Sequence, residues 1–316
     1  MRASLTTRSA TRALRPQRAS RAVAAAAAPG KHIVITGANT GIGFEAALDL
    51  AGKGYDVTLA CRNDDKAAAA AKRIRDAVAG AKVETLRLDL ADLDSVRDAS
   101  KQLLDSAKPI DVLLNNAGVM ACPYMETKQG FEYQFGTNHL GHFLLTTMLL
   151  PKLQQNPGPV RIVNVASAAH AFGKIDFDSF RKPKDYKEWP FYGQSKLANI
   201  LFTYELARRL SSPGSPTVNA LHPGVVRTEL GRYLLSEDAS FVTKAMWALM
   251  IPFTKTPVQG AQTSIYLASS PEAEGISGKY WDNCKPISST PGSYDTDVAK
   301  RLFEVSQELV GAPVAV

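Results

Sequence analysis

The sequence predicts an α/β fold, a single doubly wound domain whose mostly parallel, seven-stranded sheet carries helices on both faces. Short β-branched runs alternate with longer segments of helical spacing from residue 31 onward, without a break in composition. Predicted strands lie at 32–36, 55–61, 82–88, 110–115, 160–166, 217–221 and 279–281, and predicted helices at 41–53, 64–79, 92–107, 130–154, 191–211, 257–270 and 295–309. Sequential strands separated by helices favour parallel pairing.

Local signals justify the elements in chain order. The first strand is a β-branched run, and a glycine-rich segment opens the first helix. Asn63 and Asp64 are the predicted N-caps of the alanine-rich second helix, and Asp92 or Asp94 is the predicted N-cap of the third. The later elements follow from the same alternation. The connections 170–190 and 228–256 are too long for simple turns, and such insertions commonly build a substrate site.

The basic excess of the chain is confined to its first thirty residues. The chain carries 37 Lys and Arg against 30 Asp and Glu, a net charge of +7, and six arginines but no acid fall within 1–30. The remainder is nearly neutral, which removes the main support for nucleic-acid binding. Residues 1–30, rich in alanine and hydroxyl groups, predict a disordered transit peptide, chloroplast first and mitochondrial second, with a plain basic tail as the third interpretation. Residues 31–316 form the predicted domain.

Neither the cysteines nor the histidines predict a metal site. Cys61, Cys122 and Cys284 are too few and too scattered for a disulfide framework or a zinc site, and they fit a reducing compartment. His139 and His142 are three apart, without a carboxylate or third histidine at ligand spacing, so we interpret them as packing or polar surface residues.

A glycine-rich segment, TGANTGIG at 36–43, follows the first predicted strand and precedes a helical run. Glycines at such a junction let the chain turn tightly and let backbone N–H groups approach a pyrophosphate at a helix N-terminus. The segment therefore predicts a dinucleotide site formed by Gly37, Asn39, Thr40, Gly41, Ile42 and Gly43.

The end of the second strand distinguishes NAD(H) from NADP(H). An NAD site usually places a carboxylate there, whereas this chain has Arg62, whose guanidinium suits a 2′-phosphate. Asp64 and Asp65 follow closely, but they are better explained as caps of the next helix. NADP(H) is the predicted cofactor.

Further segments resemble, in the same order along the chain, the short-chain dehydrogenase/reductase superfamily. They are Asp89, NNAG at 115–118, TNHLGH at 137–142, Ser167, YGQSK at 192–196 and HPGVVRT at 222–228. KLANILF at 196–202 and GAQT at 260–263 are most similar to the retinol-dehydrogenase-like branch. MACP at 120–123 and LGRY at 230–233 are similar also to a chloroplast inner-envelope translocon subunit of the same fold. The resemblance covers roughly 31–309 and implies a Rossmann domain.

Four residues of these segments belong together chemically. A hydride that moves between nicotinamide and a carbonyl carbon must be matched by a proton on the oxygen. Tyr192 and Lys196 are four apart in a predicted helix, so they share a face, and the ammonium is expected to lower the pKa of the tyrosine. Ser167, at a strand end, is expected to hydrogen-bond the substrate oxygen. The resemblance adds Asn138 as the support of a proton-relay water and places Lys196 on the nicotinamide ribose.

The resemblance also completes the predicted cofactor-binding set. Asp89 is expected at the adenine and Thr228 at the carboxamide. The remaining members are Leu90, Asn116, Ala117, Gly118, Tyr192, Lys196, Pro223, Gly224 and Val225.

Two features test the catalytic assignment. A second Tyr-x-x-x-Lys pattern, Tyr124 to Lys128, lies between Pro123 and Gly130, where a helix is not expected. We therefore assign the role to Tyr192. Ser167 precedes Tyr192 by 25 residues, more than is common in the superfamily, because 172–190 is inserted. The retinol-dehydrogenase-like branch shows a similar insertion.

The predicted function is an NADP(H)-dependent oxidoreductase that transfers a hydride between nicotinamide and a lipophilic aldehyde, ketone or alcohol. The connection 228–256 is the predicted lid over such a substrate, and its apolar stretch 230–253 fits equally well ordinary core or dimer contact, or shallow membrane insertion. The expected partners are this small molecule, a membrane surface and a second copy or an import complex, but no nucleic acid. Two alternatives are an NADPH-binding, redox-sensing subunit of a chloroplast envelope import complex and a protochlorophyllide reductase-like enzyme. The expected location is the chloroplast stroma or envelope.

Overall fold

The structure, a computed structural model, describes residues 30–227 and 254–311. Its eight-stranded sheet has the order β3-β2-β1-β4-β5-β6-β7-β8. The strands are β1 His32–Thr36, β2 Asp56–Cys61, β3 Val83–Arg87, β4 Val112–Asn115, β5 Arg161–Val165, β6 Thr217–Leu221, β7 Tyr280–Asp282 and β8 Lys285–Ile287. All neighbouring pairs are parallel except β7 and β8, which are antiparallel. The predicted α/β class is confirmed, with eight strands instead of seven.

Helices cover both faces of the sheet and enclose two hydrophobic cores. They are α1 Gly41–Gly52, α2 Asp64–Ala77, α3 Leu93–Asp105, α4 Gly141–Gln155, α5 Glu188–Arg209, α6 Pro257–Ser269 and α7 Thr296–Val310. Side chains of α1, α2 and α6 pack on one face, and those of α3, α4, α5 and α7 pack on the other. Because both faces are covered, β1 and β4 are buried along their whole length.

The strand order reverses between β1 and β4, which are hydrogen-bonded neighbours although β2 and β3 separate them in sequence. The chains leaving the carboxyl ends of these two strands diverge and open a crevice, where open α/β sheets bind their ligands. The glycine-rich segment after β1 and the NNAG segment at the end of β4 meet at this crevice, since Thr36 Oγ1 accepts hydrogen bonds of 2.9 Å from the backbone N–H groups of Asn116 and Ala117.

The eighth strand arises from a tight hairpin that the sequence hides. Asn283 and Cys284 connect β7 to β8 with φ angles of 47° and 60°. Two consecutive left-handed residues give a turn whose twist matches antiparallel strands, and its usual marker is a glycine. This turn has cysteine in the second position, so the sequence pattern does not show it.

The entry into α4 is irregular. A short helical segment Tyr133–Phe135 continues through a π-helical turn, Gly136–Leu140, into α4. Glu132 caps it, because its carboxylate accepts the N–H groups of Gln134 and Phe135 at 2.8 and 2.7 Å. π-helical turns occur frequently at functional sites, and this one contains Asn138.

Some expectations fall on other parts of the chain. Thr228, most of the predicted lid 228–256 and residues 1–29 lie outside the described residues. Among the residues that are described, no helix combines the length and apolar character needed to cross a membrane.

Candidate active site

A cavity of about 380 Å³ lies at the crevice between β1 and β4. Twelve of the predicted cofactor-binding residues line it, namely Gly37, Asn39, Thr40, Gly41, Ile42, Gly43, Arg62, Asp89, Leu90, Asn116, Ala117 and Gly118. The structure thus brings together segments that follow four different strands.

The glycines form a cradle that side chains would fill. A Cβ atom on Gly43 would lie 2.5 Å from Asn116 Nδ2 and 2.7 Å from the Gly37 carbonyl oxygen. A Cβ atom on Gly37, whose φ is 66°, would lie 2.9 Å from Ala117 Cα. The backbone at the N-terminus of α1 is therefore open to a ligand, and the cavity fits the pyrophosphate of a dinucleotide.

Cationic side chains gather where β2 ends. Arg62 lines the cavity, and its Nη1 donates to the hydroxyl of Tyr133 at 3.1 Å. Lys66, in the first turn of α2, lines the same cavity. Asp64 pairs with Arg87 at 3.2 Å and is absent from the lining. Within the described chain, the one carboxylate residue in the lining is Asp89. Lys66 and Tyr133 were not predicted to line the cavity, because neither residue belongs to a recognisable sequence motif.

The segment after β6 lies outside the cavity lining. Gly224 adopts a φ of 85°, and Val225 is 47 % exposed. A Cβ atom on Gly260 would lie 2.6 Å from Val226 Cγ2 and 3.3 Å from Ile42 Cγ1. Gly260 therefore lies between Val226, in the segment after β6, and Ile42, at the start of α1. Pro223, Gly224 and Val225 are thus near the crevice without contributing to its deep part.

Tyr192, Ser167 and Lys196 meet at the carboxyl end of β5. The side chain of Ser167 lies close enough to the Tyr192 hydroxyl to lower its pKa. The ammonium of Lys196 lies 5.7 Å from the ring centroid of Tyr192 and donates to the carbonyl oxygen of Val165 at 3.1 Å. Tyr192 and Lys196 are 4 % and 3 % exposed. A buried proton donor beside an ammonium and a hydroxyl can exchange a proton with a carbonyl oxygen.

Burial dominates the electrostatics of this group. It raises the pKa of Tyr192 to about 12, and the hydrogen bond with Ser167 acts in the opposite direction. Burial also lowers the pKa of Lys196 to about 8. The lowering of the tyrosine pKa that we expected from Lys196 is therefore not found in this structure, where desolvation of the phenolate raises the pKa and Ser167, rather than Lys196, acts to lower it.

The side chain of Asn138 connects the segment after β4, which lines the cavity, to α5, which carries Tyr192. Its Oδ1 accepts from the backbone N–H of Val119 at 2.8 Å, and its Nδ2 donates to Val119 O and to Ser195 Oγ, both at 2.9 Å. Ser195 Oγ in turn donates to Tyr192 O at 2.8 Å. The side chain of Asn138 is thus committed to protein partners, which leaves its main-chain carbonyl as the group for any proton-relay water.

A buried histidine supports that carbonyl. Nδ1 of His142 donates to Asn138 O at 3.0 Å, so its Nε2, 2.8 Å from Thr36 Oγ1, accepts the threonine proton. Burial lowers the pKa of His142 to about 4, which keeps the ring neutral. His142 therefore connects the end of β1 to the π-helical turn. The sequence pattern identified it only as a packing or polar residue.

The second Tyr-x-x-x-Lys pattern has a different environment. Tyr124 is 42 % exposed, and its hydroxyl donates to Glu126 at 2.6 Å. Lys128 binds Asp92 and Asp94 instead.

In the part of the chain that the structure describes, no group of three His, Cys, Asp or Glu residues is arranged to hold a metal ion.

The fold and the site define a class, a Rossmann-type protein with a cavity that fits a dinucleotide and a buried tyrosine beside a serine and a lysine. The model of the short chain dehydrogenase family matches residues 31–239. Human retinol dehydrogenase 13 is 47 % identical over 284 residues, which cover 90 % of this chain and 85 % of that protein. Human retinol dehydrogenase 12 is also 47 % identical, over 283 residues, with 90 % and 87 % covered. The chain belongs to the short-chain dehydrogenase family.

Structural similarity agrees with this membership. The crystal structure of an uncharacterised protein from Mycobacterium paratuberculosis has a TM-score of 0.74 and 34 % identity, covering 92 % of this chain and 97 % of that one. The predicted superfamily and its retinol-dehydrogenase-like branch are confirmed. The chain is an oxidoreductase that acts on an alcohol or carbonyl group with a nicotinamide cofactor.

The predicted chloroplast location is wrong. The relatives that match about nine-tenths of the chain are human and mouse retinol dehydrogenases, from organisms without chloroplasts. The arginine and alanine content of residues 1–30 is a compositional feature that many segments share, so it does not specify an organelle. These relatives lend no support to the import-complex or protochlorophyllide alternatives either.

Proposed function

We propose that the protein is an NADP(H)-dependent oxidoreductase that interconverts a lipophilic alcohol and its aldehyde or ketone, with Tyr192 as general acid and base. The observation that carries this proposal is the group formed by Ser167 and the buried Tyr192 and Lys196. The Lys196 ammonium lies 5.7 Å from the centroid of the tyrosine ring and 3.4 Å from the position of a Cβ atom on Gly118, which lines the cavity. A proton donor and a hydride carrier must face the same carbonyl, and this arrangement supports both.

The preference for NADP(H) rests on charge at the end of β2. Arg62 and Lys66 line the cavity, and Asp64, the nearest acid in sequence, is held by Arg87. A guanidinium that the hydroxyl of Tyr133 orients suits a phosphate by charge-assisted hydrogen bonds. The ribose of NAD would gain no carboxylate from this strand end.

The residues of this chain divide the proton chemistry among them. Bound nicotinamide supplies or receives the hydride. Ser167 holds the substrate oxygen against Tyr192, and the protonated phenol donates to that oxygen as a carbonyl is reduced. Tyr192, whose pKa burial raises to about 12, is protonated at neutral pH, which is the state that reduction requires. We assign Lys196 to the nicotinamide ribose, Asn138 to a relay water and Thr228 to the carboxamide.

Exposed aromatic rings beside Tyr192 support a lipophilic substrate. Phe172 is 54 % and Trp189 is 42 % exposed, and their rings meet edge to face at 6.5 Å. The ring of Trp189 also meets that of Tyr192 edge to face, at 6.1 Å. Aromatic rings left in contact with solvent next to a polar reactive group are typical of a site for an apolar ligand.

Replacing the proton donor tests the enzyme assignment. Tyr192→Phe keeps the ring and removes the proton, so kcat for a panel of long-chain aldehydes, retinal and aromatic ketones should fall by roughly 10²- to 10⁴-fold. Tyr124→Phe, which changes the other Tyr-x-x-x-Lys pattern, is the matched control and should retain full activity. Equal activity of the two variants would contradict the assignment of Tyr192.

Replacing the cation tests the cofactor. Arg62→Ala should lower the NADPH/NADH ratio of kcat/KM by roughly 10- to 100-fold, because it removes charged hydrogen bonds to the 2′-phosphate. Lys72→Ala removes one positive charge from the outer face of α2, where Lys72 pairs with Asp76, and is the control. An unchanged ratio in Arg62→Ala would exclude this role.

A further inference from the structure

The insertion between Ser167 and Tyr192 begins with a short 3-10 turn directly after Ser167. Ser167 caps the 3-10 helix Ala168–Phe172, because its Oγ accepts from the N–H of Ala169 at 3.2 Å. Gly173 then ends the helix, with its N–H on the carbonyl oxygen of His170 at 3.1 Å. The position of Ser167 is therefore tied to the position of this turn.

The turn lies directly against the residue that follows Tyr192. A Cβ atom on Gly173 would lie 2.5 Å from the carbonyl carbon of Gly193 and closer still to its oxygen. A Cβ atom on Gly193 would lie 2.9 Å from Ala169 O, 3.0 Å from the Phe172 ring and 3.1 Å from Gly173 N. Most of these neighbours are backbone atoms, which cannot move away singly.

Backbone conformation does not explain the two glycines. Gly173 has a φ of −74°, and Gly193 lies inside α5, so any residue could adopt either conformation. Space explains them, since the turn and the helix touch backbone to backbone at this point. The contact lies one residue from Tyr192 and six residues from Ser167.

We propose that the backbone contact between Gly173 and Gly193 is a positioning contact, which sets the distance between the Ser167 and Tyr192 hydroxyls. Gly193 and Gly173 touch neither substrate nor cofactor in this role. The two glycines allow the 3-10 turn to pack closely against α5, and this turn determines the position of Ser167. The inference rests on the proposed function, because it requires Ser167 and Tyr192 to act on one substrate oxygen.

A second tether holds the other side of the turn. His170 Nδ1 donates to Ser167 O at 2.7 Å, and its Nε2 accepts from the N–H of Thr290 at 3.2 Å. The turn is thus fixed between the segment before α7 and the start of α5. A methyl group at the glycine contact cannot be absorbed by a free swing of the turn, so it must displace Ser167 relative to Tyr192.

Gly193→Ala tests the proposal by steady-state kinetics. Because a displacement of about 1 Å in a reacting constellation costs up to 10²-fold in rate, we expect kcat to fall by about 10²-fold, with the Kd for NADPH and the Tm near their original values. Gly173→Ala introduces a methyl group from the opposite side, with a closer overlap, and should lower kcat at least as much. Gly52→Ala is the control, because a Cβ there meets nothing within 4 Å.

A double-mutant cycle separates positioning from general damage. In a Ser167→Ala background the contact has no hydroxyl left to position, so adding Gly193→Ala should lower single-turnover rates by less than threefold. Full activity of Gly193→Ala, loss of its folding, or additive losses in the cycle would overturn the proposal. If Tyr192→Phe is also fully active, the proposed function itself has failed; if Tyr192→Phe is inactive, only the positioning contact has failed.

Discussion

The ionisation of Tyr192 is controlled by its surroundings more than by its partner. Burial raises its pKa, and the neighbouring side chain of Ser167 acts to lower it. Lys196, buried beside it, has a pKa lowered to about 8 by the same cause. Two neighbouring groups that both lose stability in their charged forms remain neutral more easily than in water.

Titration of the cofactor-free protein checks this environment. With a pKa of about 12, Tyr192 is only ~1 % ionised at pH 10. The phenolate absorbance of the wild type minus that of Tyr192→Phe should therefore be negligible up to that pH. Ser167→Ala should shift the titration upward, and Lys196→Met should leave it nearly unchanged. A phenolate signal near neutral pH would contradict the dominance of burial.

At the scale of elements, the irregular start of α4 concentrates unusual groups. Glu132 is fully buried, and burial raises the pKa of its carboxyl group to about 7, against the effect of the two N–H groups that it caps. The cap stabilises the helical segment that leads into the π-helical turn around Asn138. A buried carboxylate at a helix N-terminus gains from the N–H groups and loses from desolvation.

This balance predicts a pH-dependent contribution to stability. A carboxyl group whose pKa rises from 4.5 to about 7 on folding binds a proton in the folded state between these values, so its contribution falls as pH rises through that window. The free energy of unfolding of the wild type relative to Glu132→Gln should decrease by about 3 kcal/mol between pH 4 and pH 8. Urea unfolding at both pH values measures it. A constant difference would show that folding does not raise the pKa of Glu132.

At the scale of the molecule, α7 packs against α4 and against α5, the helix that carries Tyr192 and Lys196. The ring of Phe303 packs against Phe143 of α4 at 5.0 Å and Phe202 of α5 at 6.1 Å, and the Arg209 guanidinium lies 4.0 Å from its centroid. Ser306 Oγ lies 2.9 Å from His139 Nε2, within the π-helical turn. The C-terminal helix is therefore continuous with the packing of the site.

Truncating this ring should lower global stability. Phe303 is 1 % exposed, so Phe303→Ala should reduce the free energy of unfolding by roughly 3–5 kcal/mol through lost burial and a cavity. Val258→Ala, at a 53 % exposed position on α6, should change it by roughly 0.5 kcal/mol or less. Denaturant unfolding of both variants measures these changes. If the C-terminal helix were only loosely attached, Phe303→Ala would change the free energy of unfolding as little as Val258→Ala does.

The sequence predicted the fold and the cofactor half of the site because their patterns are local. The glycine cradle and the NNAG segment each stand at a strand end, and parallel strands bring such ends together. Lys66, Tyr133 and His142 lack that marking, since only tertiary packing places them. The Gly173–Gly193 contact joins residues 20 apart without a periodic pattern. The ionisation of Tyr192 was mispredicted because burial depth is not a property of spacing.

The hydrogen bonds of Asn138 have a thermodynamic consequence. One amide group holds Val119, which follows the cavity-lining NNAG segment, and Ser195, which holds the carbonyl of Tyr192. One side chain therefore contacts both the segment that lines the cavity and the helix that carries Tyr192. By linkage, whatever factor the dinucleotide adds to the affinity for substrate, the substrate returns to the dinucleotide in equal measure.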